Sequence, residues 1–485
     1  MRRMSGDLRT APLPPGPSGM NVLRYWALTM HDPLAAYGAL RREYGDAVRI
    51  PLGRNRSFFL LDRPEYAEHV LVRHQDRYVK GFGYLPLQAF IGDGLFTAEG
   101  AVWQRHRGLV QPVFSHRHVQ SFAPAIVDAT RRRVAQWAPG SLIELVAEMR
   151  TLTMDVIGRV LFGTDLSGDA ELVGRAETRL QSSMALRAAA IFRTPLSPER
   201  FRSVATRIVP GLGHASQSLE SVITRIIDTR ICAPHDEPSD LLDVLLGVGQ
   251  NEQPLSDAEI RNEVLTFVVT GHESLNITLT FTLALLSQNP VAYERVIAEV
   301  DDVLGGRDPE ASDGDALPWT QAVVSEVLRL YPPAYHVNRD AMQDDDISGI
   351  PVTAGDTIGI SPYLLHRHPE FWSDPERFDP QRFLPDSAST RPRYAYLPFG
   401  GGRRICLGAG LAQLELTLVL AVLSQSLRLD LMPTAPLRAR ADATLHPVGP
   451  VVARVTPVRA RRRTTAGPGL RSTAGSKHSE PPASS

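Results

Sequence analysis

From Ser256 to the Asn289-Pro290 pair the chain runs without a proline or a cluster of turn formers. Ser256 is followed three residues later by Glu259, the reciprocal capping pattern of a helix start, and Asn289-Pro290 supplies the stop. At about 1.5 Å per residue, positions 257 to 288 make a rod of roughly 48 Å, long enough to cross a whole domain. Such a helix must run through the core. Midway along it, Gly271 costs about 1 kcal/mol relative to alanine, and Glu273 interrupts an apolar stretch. That point needs space and a carboxylate.

A chain of 485 residues supports a large core. Its 52 Lys plus Arg nearly cancel 53 Asp plus Glu, which excludes a nucleic-acid-binding or acidic-lipid-binding field over the whole molecule. Lysine occurs only at Lys80 and Lys477, so arginine runs reflect a compositional skew and carry little weight. Two cysteines, Cys232 and Cys406, are too few for a disulfide framework and fit a reducing, cytoplasmic compartment; Cys232 reads as an ordinary structural cysteine. The N-terminus has no apolar signal core. The apolar stretches 275–286 and 411–423 are broken by Asn276, Thr280, Gln413 and Glu415, so no membrane span is expected.

Residues 1–19, with PLPPGP at 12–17, read as a stiff extended lead-in. Amphipathic helical patterns dominate to about residue 335. Short strand-like pieces occur at Ala47–Pro51, Ser57–Leu61, near Ile347–Ile360 and at Val451–Val455. These features predict a mainly α fold with small β sheets (α+β), a single domain over 20–458. Positions 459–485 form a disordered basic tail, in which Arg459, Arg461, Arg462, Arg463, Arg471 and Lys477 face only Glu480.

The segment FGGGRRICLGAG, Phe399 to Gly410, precedes an apolar helical pattern. Neighbouring arginines, a helix N-terminus and free backbone N–H groups favour a Cys406 thiolate, a ligand for a soft metal. Three successive glycines let the backbone approach a flat ligand. A dinucleotide fingerprint in GAGLAQ at 408–413 lacks both the preceding strand and the third glycine. Zinc would require a second cysteine or histidine nearby. Phe399, Gly402, Arg404, Cys406 and Gly408 match F-x-x-G-x-R-x-C-x-G, the haem-binding signature of the cytochrome P450 monooxygenases, which the chain resembles over roughly residues 20 to 458.

The resemblance implies a single cytochrome P450 fold with the long helix lying over haem b. Cys406 is then the axial thiolate on iron, and Arg404 pairs with a haem propionate. Trp103 and Arg107 match the family's W-x-x-x-R, and Arg339 the arginine before its next sheet; these are expected at the propionates. Thr270-Gly271-His272-Glu273-Ser274 stands where the family has A/G-G-x-D/E-T. Gly271 and Glu273 match, Ser274 replaces threonine and Thr270 replaces the small residue, and His272 reads as a core residue. Glu273 and Ser274 form the expected proton relay, with Ser274 keeping the hydroxyl but losing the methyl that fixes its rotamer. Of two E-x-x-R pairs, Glu199–Arg202 reads as a solvated helix pair, and Glu326–Arg329 as the family's structural pair, completed by Arg382 rather than Arg377.

The implied reaction inserts one oxygen atom from O2 into a lipophilic terpene, polyketide or fatty-acid-like intermediate, held in an apolar pocket to which Phe82–Phe90 and Pro332–Val337 contribute. No flavin or iron–sulfur motif remains, so a separate ferredoxin or flavodoxin with its reductase is expected to dock near Arg403, on a monomer. The competing readings are a haem-thiolate peroxygenase or isomerase, which needs no relay, and a haem-based gas sensor, which needs no roomy pocket.

Overall fold

The computed structural model describes residues 12–53, 56–183, 197–250, 254–388, 391–432 and 437–458. The tail 459–485 and residues 1–11 of the lead-in lie outside them.

The expected helix spans Asp257–Gln288, 32 residues. The Ser256 side chain accepts from the Glu259 N–H while the Glu259 carboxylate accepts from the Ser256 N–H, so both ends of the capping box are made. Nearly every side chain from Val264 to Leu286 is buried, apart from a short window at Thr270–Ser274. The helix lies most extensively against Leu145–Phe162. The bare side of Gly271 is where this contact closes: a Cβ there would sit 2.9 Å from Ile157 Cδ1. The space that the sequence pointed to is thus taken by helix packing.

Around this rod the helices form one large apolar cluster, and the strands collect at the edges. A five-stranded sheet runs in the order Ala47–Gly53, Arg56–Leu61, Thr357–Ile360, Val337–Ala341, Tyr78–Val79, with only the second and third strands parallel. Leu142–Glu144, Val452–Pro457 and Leu427–Leu431 form a second sheet, and two hairpins (345–352 and 439–447) complete the β structure. Several of these strands were not legible beforehand, because pieces of two to five residues are too short to show alternation. The lead-in docks on the first sheet: the Pro15 carbonyl accepts from Arg49 N–H at 3.0 Å, and Gly16 lies where any side chain would strike the Arg49 carbonyl.

Glu326 and Arg329, on Pro318–Leu330, are fully buried, and Arg329 donates twice to the carboxylate at 2.7 Å. Arg382 Nε stands 3.6 Å from Glu326 Oε1, whereas Arg377 offers Arg329 only its carbonyl. Arg382 is therefore the third member. His366 ties this cluster to the approach to the cysteine loop: its Nε2 accepts from Leu397 N–H at 2.9 Å, and burial beside Arg329 pushes its pKa down to about 3. Glu199 and Arg202, by contrast, do not pair; Arg202 turns to Ser216 and Glu220. Cys232 is exposed at a helix C-terminus, so it packs no core. The helix Ala409–Ser426 is long and apolar enough to cross a membrane by length and composition, but most of it is buried inside the protein.

Candidate active site

The cysteine loop is fixed from both ends. Cys406 N–H donates to the Phe399 carbonyl at 2.9 Å, and Gly402, at φ +66°, would place a Cβ 1.8 Å from the Leu71 carbonyl. Only glycine fits there. The sulfur sits before the helix Ala409–Ser426 and accepts from the Gly408 backbone N–H; Cys406 is accessible, yet it lies deep enough in the protein to be poorly hydrated. The sequence pointed to a ready thiolate; here burial instead holds the thiol above its ordinary range, with the Gly408 N–H and Arg107 opposing more weakly. Protein groups alone do not ionise this sulfur. A cation bonded to it would.

The loop faces the central helix through two aromatic rings. Phe114 lies 3.9 Å from where a Gly408 Cβ would be and stacks on Phe267 with centroids 5.7 Å apart. Beyond Phe267, Thr270 is exposed and Ser274 half-buried on a helix otherwise sunk in the core, so this face borders open space. The Thr270 hydroxyl is spent on the Thr266 carbonyl at 2.7 Å. Among the described residues nothing hydrogen-bonds the Ser274 hydroxyl. Glu273 Oε1 accepts from Gln181 Nε2 at 2.5 Å and Thr444 Oγ1 at 3.2 Å. Burial and the nearby Glu177 carboxylate push its pKa up to about 7.

Trp103 is buried and its ring lies 4.1 Å from the Arg404 guanidinium carbon. Arg404 donates to the Ala98 carbonyl at 2.8 Å and pairs with Glu99. Arg339, on the strand opposite Ile358, is buried near Tyr84. Arg107 is placed apart from these, one turn along the helix from Trp103, where its Nη1 donates to the Ile405 carbonyl at 3.2 Å beside the sulfur. Sequence reasoning missed Lys80, which is buried with its ammonium at the Phe96 carbonyl and over the Phe96 and Tyr84 rings. Burial and the charges of Arg404 and Arg339 hold its pKa well below the lysine range. The available signal was rarity: a lone lysine ahead of the tail in a chain whose other cations are arginine.

The family model for cytochrome P450 matches residues 12–450. The chain belongs to the cytochrome P450 family. Cyclooctat-9-en-7-ol 5-monooxygenase of Streptomyces melanosporofaciens is 33% identical over 86% of this chain and 89% of that protein. Pentalenene oxygenase of Streptomyces avermitilis is 30% identical over 89% of this chain and 94% of its own. The crystal structure of the cytochrome P450DA heme domain superposes with a TM-score of 0.79 over 93% of this chain and 98% of that one, at 24% identity. This P450 is accordingly a haem-dependent monooxygenase that needs O2, an organic substrate and an electron donor.

The residues present fit haem. Lys80 and Arg404 lie near the Glu99 carboxylate, and Arg339 adds a further positive charge beside them, a basic cluster suited to the two carboxylates a haem carries. The single sulfur has no second cysteine or histidine beside it among the described residues, which suits an iron already held by four porphyrin nitrogens.

A channel of about 740 Å³ runs along the Glu273–Thr280 face of the central helix. Its apolar lining includes Tyr25, Trp26, Ile50, Phe58 and Ile277. Of the two segments expected to line it, the first contributes Gly83 and the second Tyr335 and His336. The N-terminal helix and the 439–447 hairpin, not foreseen, supply much of the rest. The channel is not uniformly apolar either, since Glu144, Arg150, Glu177, Glu273, Arg440 and Asp442 also line it.

Proposed function

We propose that this P450 hydroxylates or epoxidises a largely hydrocarbon, terpene-class molecule, and that Cys406 is its bond to the haem iron. The observation that carries the reading is the Cys406 sulfur, exposed at a helix N-terminus with the Gly408 N–H aimed at it, in a loop tied by Phe114 and Phe267 to the Glu273–Ser274 segment. The names of the two Streptomyces relatives, an unsaturated cyclic alcohol and an olefin as substrates, and the apolar lining of the channel support the terpene class.

Haem, when bound, supplies the redox chemistry that splits O2 and puts one of its atoms into a C–H or C=C bond. This chain's residues hold and prepare it. Lys80, Arg339 and Arg404 bind the propionates, with Trp103 fixing the Arg404 plane, while Arg107 braces the loop at Ile405. Phe399, Gly402 and Gly408 shape the turn that presents the sulfur. Gln181 and Thr444 occupy Glu273 Oε1, so a proton held by this carboxyl sits on Oε2. The adjacent Ser274 hydroxyl takes it up and hands it on, while Thr270 and Gly271 set the helix surface beside it. Electrons arrive from a separate ferredoxin or flavodoxin on the face carrying exposed Arg403. The protein acts as a cytoplasmic monomer, with 20–458 as the catalytic domain.

Cys406→Ser is the test. The parent is expected to purify with haem and show the ferrous-carbonyl spectrum of a thiolate-bound iron, and the variant to lose it; a histidine-like spectrum in the parent would refute the assignment. A screen of olefins and alcohols for changes in haem spin state identifies the substrate. A requirement for O2 and a reductase chain separates this reading from a peroxygenase or isomerase, and substrate-induced spectral shifts separate it from a gas sensor.

A further inference from the structure

The face of the helix Ala170–Ser183 that meets the central helix carries Glu177 and Gln181, four residues apart and so one above the other. Gln181 bonds Glu273. One turn away, Glu177 Oε2 stands 3.3 Å from His272 Nε2. Both groups are buried, His272 completely. The His272 ring is anchored by Nδ1, 2.6 Å from the Val268 carbonyl, so Nδ1 must carry hydrogen. Nε2 and the carboxylate oxygen would then face each other as two acceptors unless a proton lies on one of them. The contact therefore holds a proton between His272 Nε2 and Glu177 Oε2, with the imidazolium facing the carboxylate. Glu177 also lines the channel, as does Glu273, and the two carboxylates repel.

We propose that the Glu177–His272 pair is a proton store that refills Glu273 from the channel. The proton leaves His272 Nε2 by way of Glu177 Oε2, which borders the channel, passes through channel water and arrives on Glu273 Oε2; the pair then regains a proton from the same water by the reverse route. No electrons move. Glu177 and His272 are positioning residues, acting through Glu273 and touching neither substrate nor haem, and the inference rests on the relay role given to Glu273 above. The other charged or titratable groups facing this channel are Glu144, Arg150 and His336, with Arg440, Asp442 and His446 on the hairpin. Arg440 and His446 are both turned to Asp442.

The first readout needs no turnover. Infrared difference spectra against pH give the midpoint of the carboxyl band that vanishes in E273Q, near 7 in the parent. E177Q removes a repelling charge and is expected to move that midpoint down; H272Q removes an attracting one and is expected to move it up. The second readout is product formed per reducing equivalent, which is expected to fall several-fold in E177Q, with more peroxide released, a larger solvent isotope effect and recovery in E177D. A structural role would lower the melting temperature and leave the midpoint and isotope effect where they were, which overturns the proposal. If E177Q does not fold, the upward shift in H272Q decides alone. If E273Q itself keeps full coupling, the relay reading fails; if E273Q loses coupling and E177Q does not, only this inference fails.

Discussion

Glu415 shows how far burial reaches in this protein. Among the described residues neither carboxylate oxygen has a partner, the residue is fully buried, and desolvation alone pushes its pKa up to about 8 from the ordinary 4.5. The folded state binds the proton more tightly than the unfolded chain, so the stabilisation is complete below about pH 4.5, declines as pH rises and is gone above about 8. At about 1.4 kcal/mol per pH unit this amounts to a few kcal/mol. Glu415→Gln is expected to flatten the fall of melting temperature between those limits. Glu273 follows the same sign with a functional outcome: product per reductant is expected to drop as pH rises through about 7, where its proton is lost. Glu273→Gln should cost on the order of 100-fold in product formation if the carboxyl delivers protons directly. Ser274→Thr, which restores a methyl and with it a fixed rotamer, should raise product relative to peroxide.

At the level of elements, the buried Glu326–Arg329 pair joins one helix to the segment that leads into the cysteine loop. Arg329→Ala removes both close hydrogen bonds to the buried Glu326 carboxylate, leaving it only the more distant Arg382 and the Asp379 N–H, and is expected to cost about 3–5 kcal/mol by denaturant titration. Arg382→Ala should cost less, its Nε being 3.6 Å from the carboxylate. Arg377→Ala should cost almost nothing, since only its backbone is used. The sequence offered both arginines; the choice of Arg382 followed from its distance to the cysteine. The 257–288 helix was legible to the residue because its cap is local chemistry, readable from Ser256 and Glu259 alone. The strands at 337–341 and 427–431 were not, because what makes them strands is a partner far away in the chain.

Across the whole molecule, basic side chains from three distant segments meet at one place: Arg339 on a strand beyond the long helix and Arg404 in the cysteine loop, both charged, and Lys80 by the first sheet, whose charge they and burial disfavour. Bringing like charges together opposes folding until an anion arrives. Haem loading is therefore expected to raise the melting temperature, and added salt to stabilise the haem-free protein more than the loaded one, because salt screens repulsion that the propionates already neutralise. Calorimetry of both forms at low and high ionic strength checks this. Lys80→Met should leave the salt sensitivity of the haem-free form nearly unchanged, because burial beside Arg404 and Arg339 already disfavours the lysine's charge.

The sequence by itself determined whatever is written in neighbouring residues: the capped central helix, the turn glycines and cysteine of the loop, the Glu–Arg pair three apart, and the Glu273–Ser274 dipeptide. Local spacing fixes these because a helix turn or a tight loop brings together only residues a few positions apart. Tertiary structure alone decided that Gly271 makes room for Ile157, that Lys80 joins the arginines, that Arg107 goes to the sulfur side, and that burial raises the Cys406 thiol above its ordinary range. Each of those outcomes depends on distances between segments hundreds of residues apart and on the exclusion of water between them, which no local pattern encodes.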